Sequence, residues 1–305
     1  MTKFTKFSVL ALCLAMFVGV LASCDDGDGD TTQASTEAAT QAQTQAATQV
    51  ATEGETQATT EAATEAETEE ATPSEGLEYE LNADGQGYVV RGMGTCTDIN
   101  LVIPDTYEGK SVVSIGESAF MRCTSLTSIT IPDSVISIGR YAFQDCTGLT
   151  SVTIGSNVQS TGGRAFAGCT GLTSVTIGNG VTSIGSSAFK GCTSLTSITI
   201  GNGVISIGTF AFYDCTGLTS ITLGNSVTSI GDAAFYGCTS LTSITIPDSV
   251  TSIGSWAFCD CTSLTTINYT GTQSQWNDID KGNCWDLSAG LGDYTINYDY
   301  GGEKS

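Results

Sequence analysis

Residues 123–145 read CTSLTSITIPDSVISIGRYAFQD, and close copies of this string follow one another at an interval of 23 residues. One cysteine opens each copy, and these cysteines are Cys123, Cys146, Cys169, Cys192, Cys215, Cys238 and Cys261. A fixed period of this length is typical of a solenoid, in which each unit buries its apolar face only against its neighbours. The repeat therefore predicts a mainly-β repeat solenoid.

Each unit has a pattern of apolar residues that predicts its local structure. The spacing of Leu126, Ile129 and Ile131 is that of a strand in which the two isoleucines point inward. A turn follows at the proline, and residues 135–138 form a second short extended piece. Gly139 then leads into about one helical or 3₁₀ turn that carries an Ala-Phe pair.

The Ala-Phe pair and the cysteine place one ring and one thiol of each unit in the predicted core. We expect the rings to stack as a spine along the interior, namely Phe120, Phe143, Phe166, Phe189, Phe212, Phe235 and Phe258. Neighbouring thiols would lie about 5 Å apart, which is close enough for disulfides. Parallel side-chain directions and an odd number favour the alternative of small buried hydrophobes whose S–H groups meet carbonyls.

The units resemble the BspA-type, or treponemal-type, leucine-rich repeat. They share its pattern C-x-x-L-x-x-I-x-I-P followed by V-x-x-I-G-x-x-A-F, and the likeness covers about residues 77–298, including a closing segment at 267–272 with Trp276. The resemblance implies a leucine-rich-repeat superhelix at a bacterial cell surface. It also implies an adhesin-like role, with host matrix or other cell-surface proteins as partners.

The first residues predict an export signal. Two lysines precede an apolar run at residues 8–20, and Leu21-Ala22-Ser23-Cys24 follows. This string resembles the lipobox of bacterial lipoproteins, which implies that residues 1–23 are a signal peptide and that Cys24 carries a lipid. The alternative is an ordinary secretory signal with a chance cysteine. Both readings place the rest of the chain outside the cytoplasm, and a lipid would be its sole link to the membrane.

The chain after the signal divides by composition. Residues 24–76 are rich in Thr, Ala, Glu and Gln and contain no aromatic residue, so we expect a disordered or transiently helical tether. We assign residues 77–95 to an N-terminal cap hairpin, 96–266 to the leucine-rich repeats, and 267–305 to a C-terminal cap and tail.

Charge and composition exclude several functions. The net charge is -22, and 16 of the 32 acidic residues lie in residues 25–84. The remaining 16 acids against 8 bases argue against nucleic acid as a partner. Without histidine there is no Ser-His or Cys-His pair and no HExxH zinc site, and the closest cysteine pair is Cys259-x-Cys261. We predict no enzyme activity, no cofactor and no metal site.

Two cysteines depart from the regular interval. Cys259 stands beside the last repeated cysteine, and Cys284 lies in the C-terminal segment. Because exported proteins meet oxidising surroundings, we hypothesise a disulfide between them.

Two surfaces are candidates for binding. The first comprises variable positions that flank the Ala-Phe pair, where we expect exposed aromatic side chains at Tyr141, Phe210, Tyr213, Tyr236 and Trp256. Neutral drift is the alternative explanation of this variability. The second is the array of Ser128, Thr130 and their equivalents, which predicts a well-made exposed sheet or, alternatively, a lattice that matches ice or crystalline polysaccharide.

Together these features predict a lipid-tethered surface module that binds extracellular or host proteins through its solenoid. A carbohydrate-binding module that uses the exposed aromatic side chains is one alternative, so glycans are also candidate partners. A passive envelope spacer is another. A hydrolase is disfavoured because the chain lacks a base-nucleophile pair.

Overall fold

The computed structural model describes residues 72–286 and 294–301. The predicted signal peptide at residues 1–23, the predicted lipidation site Cys24 and nearly all of the predicted tether lie outside these described residues. The described chain is a mainly-β parallel solenoid with a 23-residue repeat, as the sequence predicts.

Short strands and one short helix make up the regular structure of the described residues. The strands in chain order are β1 (Glu78–Leu81), β2 (Tyr88–Gly92), β3 (Asn100–Val102), β4 (Thr106–Tyr107), β5 (Lys110–Ile115), β6 (Ser128–Ile131), β7 (Ser137–Ile138), β8 (Ser151–Ile154), β9 (Ser160–Thr161), β10 (Ser174–Ile177), β11 (Ser183–Ile184), β12 (Ser197–Ile200), β13 (Ser206–Ile207), β14 (Ser220–Thr222), β15 (Ser229–Ile230), β16 (Ser243–Ile246), β17 (Ser252–Ile253), β18 (Thr266–Tyr269), β19 (Asp280–Lys281) and β20 (Thr295–Asn297). The helix α1 spans Gln273–Asp278.

The strands form two sheets that follow the repeat. The first sheet has the order β1-β2-β5-β7-β9-β11-β13-β15-β17-β19, with β4 paired to β5. The second sheet has the order β20-β18-β16-β14-β12-β10-β8-β6-β3. Each unit thus adds one strand to each sheet, and we call one such unit a rung.

Alternation along the strands of the second sheet sets which side chains enter the core. In β10, Val175 is buried while Ser174 and Thr176 are exposed. Ser174 pairs in parallel register with Ser197, which stands 23 residues later in the chain. Because the side-chain period of a strand is two, a slip of one residue would expose every isoleucine, so the repeat and the pleat together determine the register.

The segment after Gly139, and after the equivalent glycine of each other unit, is a run of turns. The sequence had predicted a helical or 3₁₀ turn there. The N–H groups of Tyr141 and Phe143 donate to the carbonyls of Gly163 and Ala165 in the next rung, at 3.1 and 2.7 Å. Tyr141 also has a φ of 58°. A helix needs negative φ and directs its N–H groups along its own axis, so these bonds exclude one.

These turns stack into a third column of inter-rung contacts, which we call the turn ridge. Seven rungs, which we number one to seven, contribute to the turn ridge. Their parts of the ridge are residues 116–122, 139–145, 162–168, 185–191, 208–214, 231–237 and 254–260.

The phenylalanine spine forms as predicted. Successive ring centroids from Phe120 to Phe258 lie 5.1 to 5.5 Å apart, with planes within 9° of parallel. Trp285 closes the stack with its edge towards Phe258 at 6.1 Å.

The repeated cysteines from Cys146 to Cys261 are buried beside this spine, whereas Cys123 is half-buried. The Cys146 thiol donates to the carbonyl of Phe120 at 3.0 Å, and the same bond recurs through Cys261 at up to 3.2 Å. The repeated cysteines from Cys123 to Cys261 are thiols that form no disulfide with one another. The structure therefore agrees with the interpretation of the repeated cysteines as buried hydrophobes.

Both ends of the solenoid carry additional structure. At the N-terminal end β1 and β2 pair antiparallel, and Tyr79 stacks on Tyr107 with centroids 4.0 Å apart. At the C-terminal end Thr272 caps α1 through a capping box, and the buried Trp276 packs against Tyr269 at 5.1 Å. An end rung has a neighbour on one side only, so its other side would expose apolar surface. These side chains cover that surface.

Candidate functional site

The turn ridge carries most of the charge of the repeats. Between residues 116 and 262, all of them described, the sequence has eleven charged residues, and Asp133 and Asp248 are the two that lie off the ridge. The nine on the ridge are Glu117, Arg122, Arg140, Asp145, Arg164, Lys190, Asp214, Asp232 and Asp260. The outward faces of the two sheets in this range carry uncharged residues, largely Ser and Thr.

Three of the predicted aromatic residues form one cluster on rungs five and six. Tyr213 and Tyr236 stack with centroids 4.9 Å apart and planes 6° from parallel. Phe210 meets Tyr213 edge-on at 5.6 Å. We call Phe210, Tyr213 and Tyr236 the aromatic cluster. It presents a continuous aromatic surface across two rungs.

A lysine from the preceding rung lies on this cluster. The Lys190 Nζ is 4.7 Å from the centroid of the Tyr213 ring and 6.0 Å from that of Phe210. Both distances are within the range of cation–π attraction. Lys190 therefore extends the cluster with a positive charge.

Phe210 corrects one expectation from the sequence. Its side chain is 8% exposed, so the prediction that this ring faces solvent is wrong. Lys190 and Tyr213 lie against the ring and cover it. Tyr213 and Tyr236 are half-buried, so the cluster offers ring edges to solvent rather than whole faces.

Tyr141 belongs to a separate group on rungs two and three. The guanidinium groups of Arg140 and Arg164 lie 5.2 and 5.8 Å from the centroid of its ring. Arg140 also donates from Nη2 to the Tyr141 hydroxyl at 3.2 Å. Tyr141 is half-buried between two exposed arginines. Trp256, also half-buried, stands on rung seven, directly after the rung of Tyr236.

The binding residues predicted from the sequence included the aromatic side chains of the ridge but not its cations. A signal was available, because Arg164 stands at the same repeat position as Tyr141, and Lys190 stands at that of Tyr213. Their contacts with aromatic rings follow from the stacking of rungs.

Carboxylates accompany the cluster and alter its acid–base behaviour. Burial and the Asp214 charge raise the pKa of Tyr213 to about 12. Burial and a hydrogen bond with Asp260 raise the pKa of Tyr236 as well. Both phenols are therefore neutral at physiological pH. Burial raises the pKa of Asp214, which Lys190 partly offsets.

The described residues hold no group of three or more His, Cys, Asp or Glu side chains that converge as metal ligands. Within the same part of the chain, no helix has the length and apolar character needed to cross a bilayer.

Cys259 is buried and Cys284 is half-buried, and the two lie on neighbouring rungs. The N–H of Trp256 donates to the carbonyl of Asn283, as the N–H of Tyr141 does to that of Gly163, which places Cys284 one rung beyond Trp256. Burial, Asp260 and the nearby Cys284 raise the pKa of Cys259 to about 12. The disulfide stays a prediction, and intact mass with and without reductant tests it through the two hydrogens gained on reduction.

The serine and threonine array lies on an ordered, exposed sheet. The hydroxyl of Thr150, which precedes the β8 strand, donates to the carbonyl of Thr127 at 3.1 Å. The same bond recurs at Thr173, Thr196, Thr219, Thr242 and Thr265. These hydroxyls tie neighbouring rungs together, which supports the interpretation of a well-made sheet.

Comparison with known proteins agrees with this architecture. The family described as BspA type leucine rich repeat region matches in six copies, over residues 97–204 and 182–286. A leucine rich repeat protein of T. pallidum is 28% identical, with 72% of this chain and 99% of that chain covered and a TM-score of 0.59. A leucine-rich repeat protein of Bacteroides ovatus is 24% identical, covers 75% of this chain and 76% of its own, and has a TM-score of 0.50.

No curated protein sequence matches the chain. The family match extends over more than half of the chain, and the 23-residue rungs, the phenylalanine spine and the buried thiols account for its motif residue by residue. The chain belongs to the BspA-type leucine-rich repeat family.

Proposed function

We propose that this protein is a non-enzymatic, adhesin-like interaction module at a bacterial cell surface, which binds extracellular or host proteins through the turn ridge. Family membership supports a protein-interaction module, since proteins built from such repeats bind through extended surfaces. The finer parts of the proposal are the adhesive role, the kind of partner and the binding surface.

The observation that carries the choice of surface is the aromatic cluster with Lys190. Tyrosine is over-represented among the residues that dominate protein interfaces, and Lys190 adds a positive charge to the tyrosine rings of the cluster. Here two tyrosines and a lysine lie together on neighbouring rungs, and the Tyr213 and Tyr236 rings stack with centroids 4.9 Å apart. A rigid side chain loses little entropy when a partner binds.

A binding array tests the choice. The chain from residue 24 onward, with Cys24→Ser to prevent lipidation, is applied to a broad panel of extracellular proteins. We expect Tyr213→Ser/Tyr236→Ser to weaken capture at least tenfold. The matched control is Ser197→Ala/Thr199→Ala on the exposed face of the second sheet. Loss of capture in the control alone would move the binding surface to that sheet.

We further propose that Cys24 carries a lipid that holds the module to the membrane. The support is the string Leu21-Ala22-Ser23-Cys24 after an apolar run. Metabolic labelling with an alkyne fatty acid should mark the wild-type chain and not Cys24→Ser. Labelling that persists in the variant would overturn the anchor.

A carbohydrate-binding module is the second candidate, favoured by the stacked tyrosines and the half-buried Trp256. Retention on insoluble glycans that Trp256→Ala abolishes would select it. A chain that captures neither proteins nor glycans would instead be a passive spacer.

A further inference from the structure

The charges of the turn ridge are sorted along its length. Rungs one to four carry four cations, Arg122, Arg140, Arg164 and Lys190, against the two carboxylates of Glu117 and Asp145. Rungs five to seven carry three carboxylates, Asp214, Asp232 and Asp260, and no cation. Rungs one and two each carry one cation and one carboxylate, and Arg122 lies 3.7 Å from Asp145. The net positive charge of the ridge therefore lies on rungs three and four, and its net negative charge lies on rungs five to seven.

The two halves also differ in aromatic content. The aromatic cluster and Trp256 lie on rungs five to seven, where the carboxylates are. Arg164 and Arg140 are exposed on the opposite half, beside Tyr141. One half therefore offers cations, and the other offers carboxylates and rings, which are the groups that attract cations.

We propose that the turn ridge binds the turn ridge of a second copy of this chain in antiparallel orientation. With the two-fold axis between rungs four and five, rung four of one copy faces rung five of the other. Lys190 then meets the rung of Tyr213 and Asp214, and Arg164 meets the rung of Asp232. Each contact occurs twice, as a closed two-fold interface requires.

Charge complementarity favours a second copy over a uniform polyanion. A polyanion long enough to follow all seven rungs, which span roughly 30 Å, would meet the three carboxylates at one end. The partner that fits carries both signs in reverse order, and an inverted copy does so.

The interface is narrow and partly exposed, so we expect a weak dimer that salt dissociates. Exposed charges are screened over about 8 Å at physiological ionic strength. Self-pairing names one partner for the surface of the proposed function. It rests on the proposed function only for the choice of that surface.

Sedimentation velocity of the chain from residue 24 onward, with Cys24→Ser, tests the proposal. Variant A carries Arg140→Glu, Arg164→Glu and Lys190→Glu, and variant B carries Asp214→Lys, Asp232→Lys and Asp260→Lys. Variant A leaves Arg122 as the one cation of the ridge, and variant B leaves Glu117 and Asp145 as its two carboxylates. The ridge of A is thus strongly net negative and that of B strongly net positive, so each alone should associate at least tenfold more weakly than wild type. Mixed one to one, A and B should form a heterodimer.

Two controls keep the outcome informative. Asp133→Lys/Asp248→Lys changes two charges off the ridge and should leave association unchanged. Because Asp232 accepts the Ser255 N–H at 2.7 Å, the lysines of variant B could disturb the turns, so an Asp→Asn variant at the same three positions retains the acceptor oxygen and removes the charge. It too should associate more weakly than wild type.

The proposal fails if the wild-type chain stays monomeric at millimolar concentration, or if variants A and B dimerise as wild type does. Retention of a monomeric wild type on a sulfated polysaccharide, lost in variant A, would assign the basic half to a polyanion instead. A monomer that still captures panel proteins would overturn self-pairing alone, whereas a dimer that captures none would overturn the proposed function alone.

Discussion

Single side chains decide which residue types the turn ridge tolerates. Its last position holds Asp145, Gly168, Gly191, Asp214, Gly237 and Asp260 in successive rungs, all with positive φ. A Cβ added to Gly168 would overlap the Asp145 Oδ1, and one added to Gly237 would overlap the Asp214 Oδ1. An aspartate at this position is thus accommodated by glycine in the next rung.

This pairing predicts different effects of one substitution at two equivalent glycines. Gly168 and Gly191 have φ of 71° and 72°, but the nearest atom to a Cβ on Gly191 is 3.9 Å away. Gly191→Ala should lower the free energy of unfolding by about 1–2 kcal/mol through backbone strain alone. Gly168→Ala should cost somewhat more, because the Asp145 carboxylate has to rotate away from the added Cβ. Urea denaturation measures both.

A second substitution isolates the overlap. Asp145→Gly in the Gly168→Ala background should bring the cost back to that of Gly191→Ala. Equal losses in the two single variants would contradict the pairing.

The buried thiols predict a loss of stability at alkaline pH. Burial raises the pKa of Cys146 and Cys215 from 9.0 to about 12, and it raises those of Cys169, Cys192 and Cys238 further. Above pH 9 the unfolded chain loses thiol protons that the folded chain keeps. These thiols should therefore leave the free energy of unfolding unchanged below pH 9. They should lower it as the pH rises from 9 towards 12.

Each such thiol contributes up to about 1.4 kcal/mol per pH unit to that slope. Urea denaturation at several pH values measures it, and Cys215→Ala should make the slope shallower by about this amount. An unchanged slope in that variant would show that the thiol does not titrate on unfolding.

Elements in this protein are stabilised by their neighbours rather than by their own length. The strands of the first sheet within the repeats are two residues long, as in β11 and β13, yet they pair in register from rung to rung. Isolated pieces of this size are not stable in water. The two sheets and the turn ridge supply backbone bonds between rungs on three sides of the core, and the phenylalanine spine fills the space between them.

The spine predicts a large cost for a cavity at its centre. Phe189 is fully buried and stacks on Phe166 and Phe212 at 5.3 and 5.5 Å. Phe189→Ala should lower the free energy of unfolding by about 3–5 kcal/mol, and Phe189→Leu by less, because leucine fills part of the volume. Ile205→Ala is the control, since Ile205 is 49% exposed and its truncation should have little effect. Comparable losses at the two sites in urea denaturation would refute the buried stack.

At the scale of the whole molecule, the described repeats form a linear array of closely similar rungs. Contacts link each rung to its neighbours, and the same pairs recur every 23 residues. The stability of such an array is approximately a sum over rungs and the interfaces between them. The caps at the two ends cover the core that the terminal rungs would expose.

This architecture predicts that deletion of a whole repeat is tolerated. Removal of residues 179–201 joins equivalent positions and leaves Phe166 next to Phe212 on the spine. The shortened chain should keep its far-ultraviolet circular dichroism per residue and a cooperative, less stable unfolding transition. Removal of residues 179–190 breaks the register and should abolish that transition. Equal tolerance of both deletions would contradict the stacked array.

The period of the repeat and the identity of its apolar positions were sufficient to predict the solenoid, the spine and the buried thiols. This is because each rung meets a near-copy of itself, so a pattern within one unit also describes the contact between units. The segment after Gly139 was predicted as a helical or 3₁₀ turn, but only alternate N–H groups, such as those of Ala142 and Gln144, bond within the unit. Those of Tyr141 and Phe143 bond to the next rung, and a single unit contains no information about that partner. The burial of Phe210 was missed for the same reason, because Lys190 of the preceding rung covers it. The separation of charge along the ridge likewise emerges when rungs stack, because stacking brings residues 23 positions apart onto one edge.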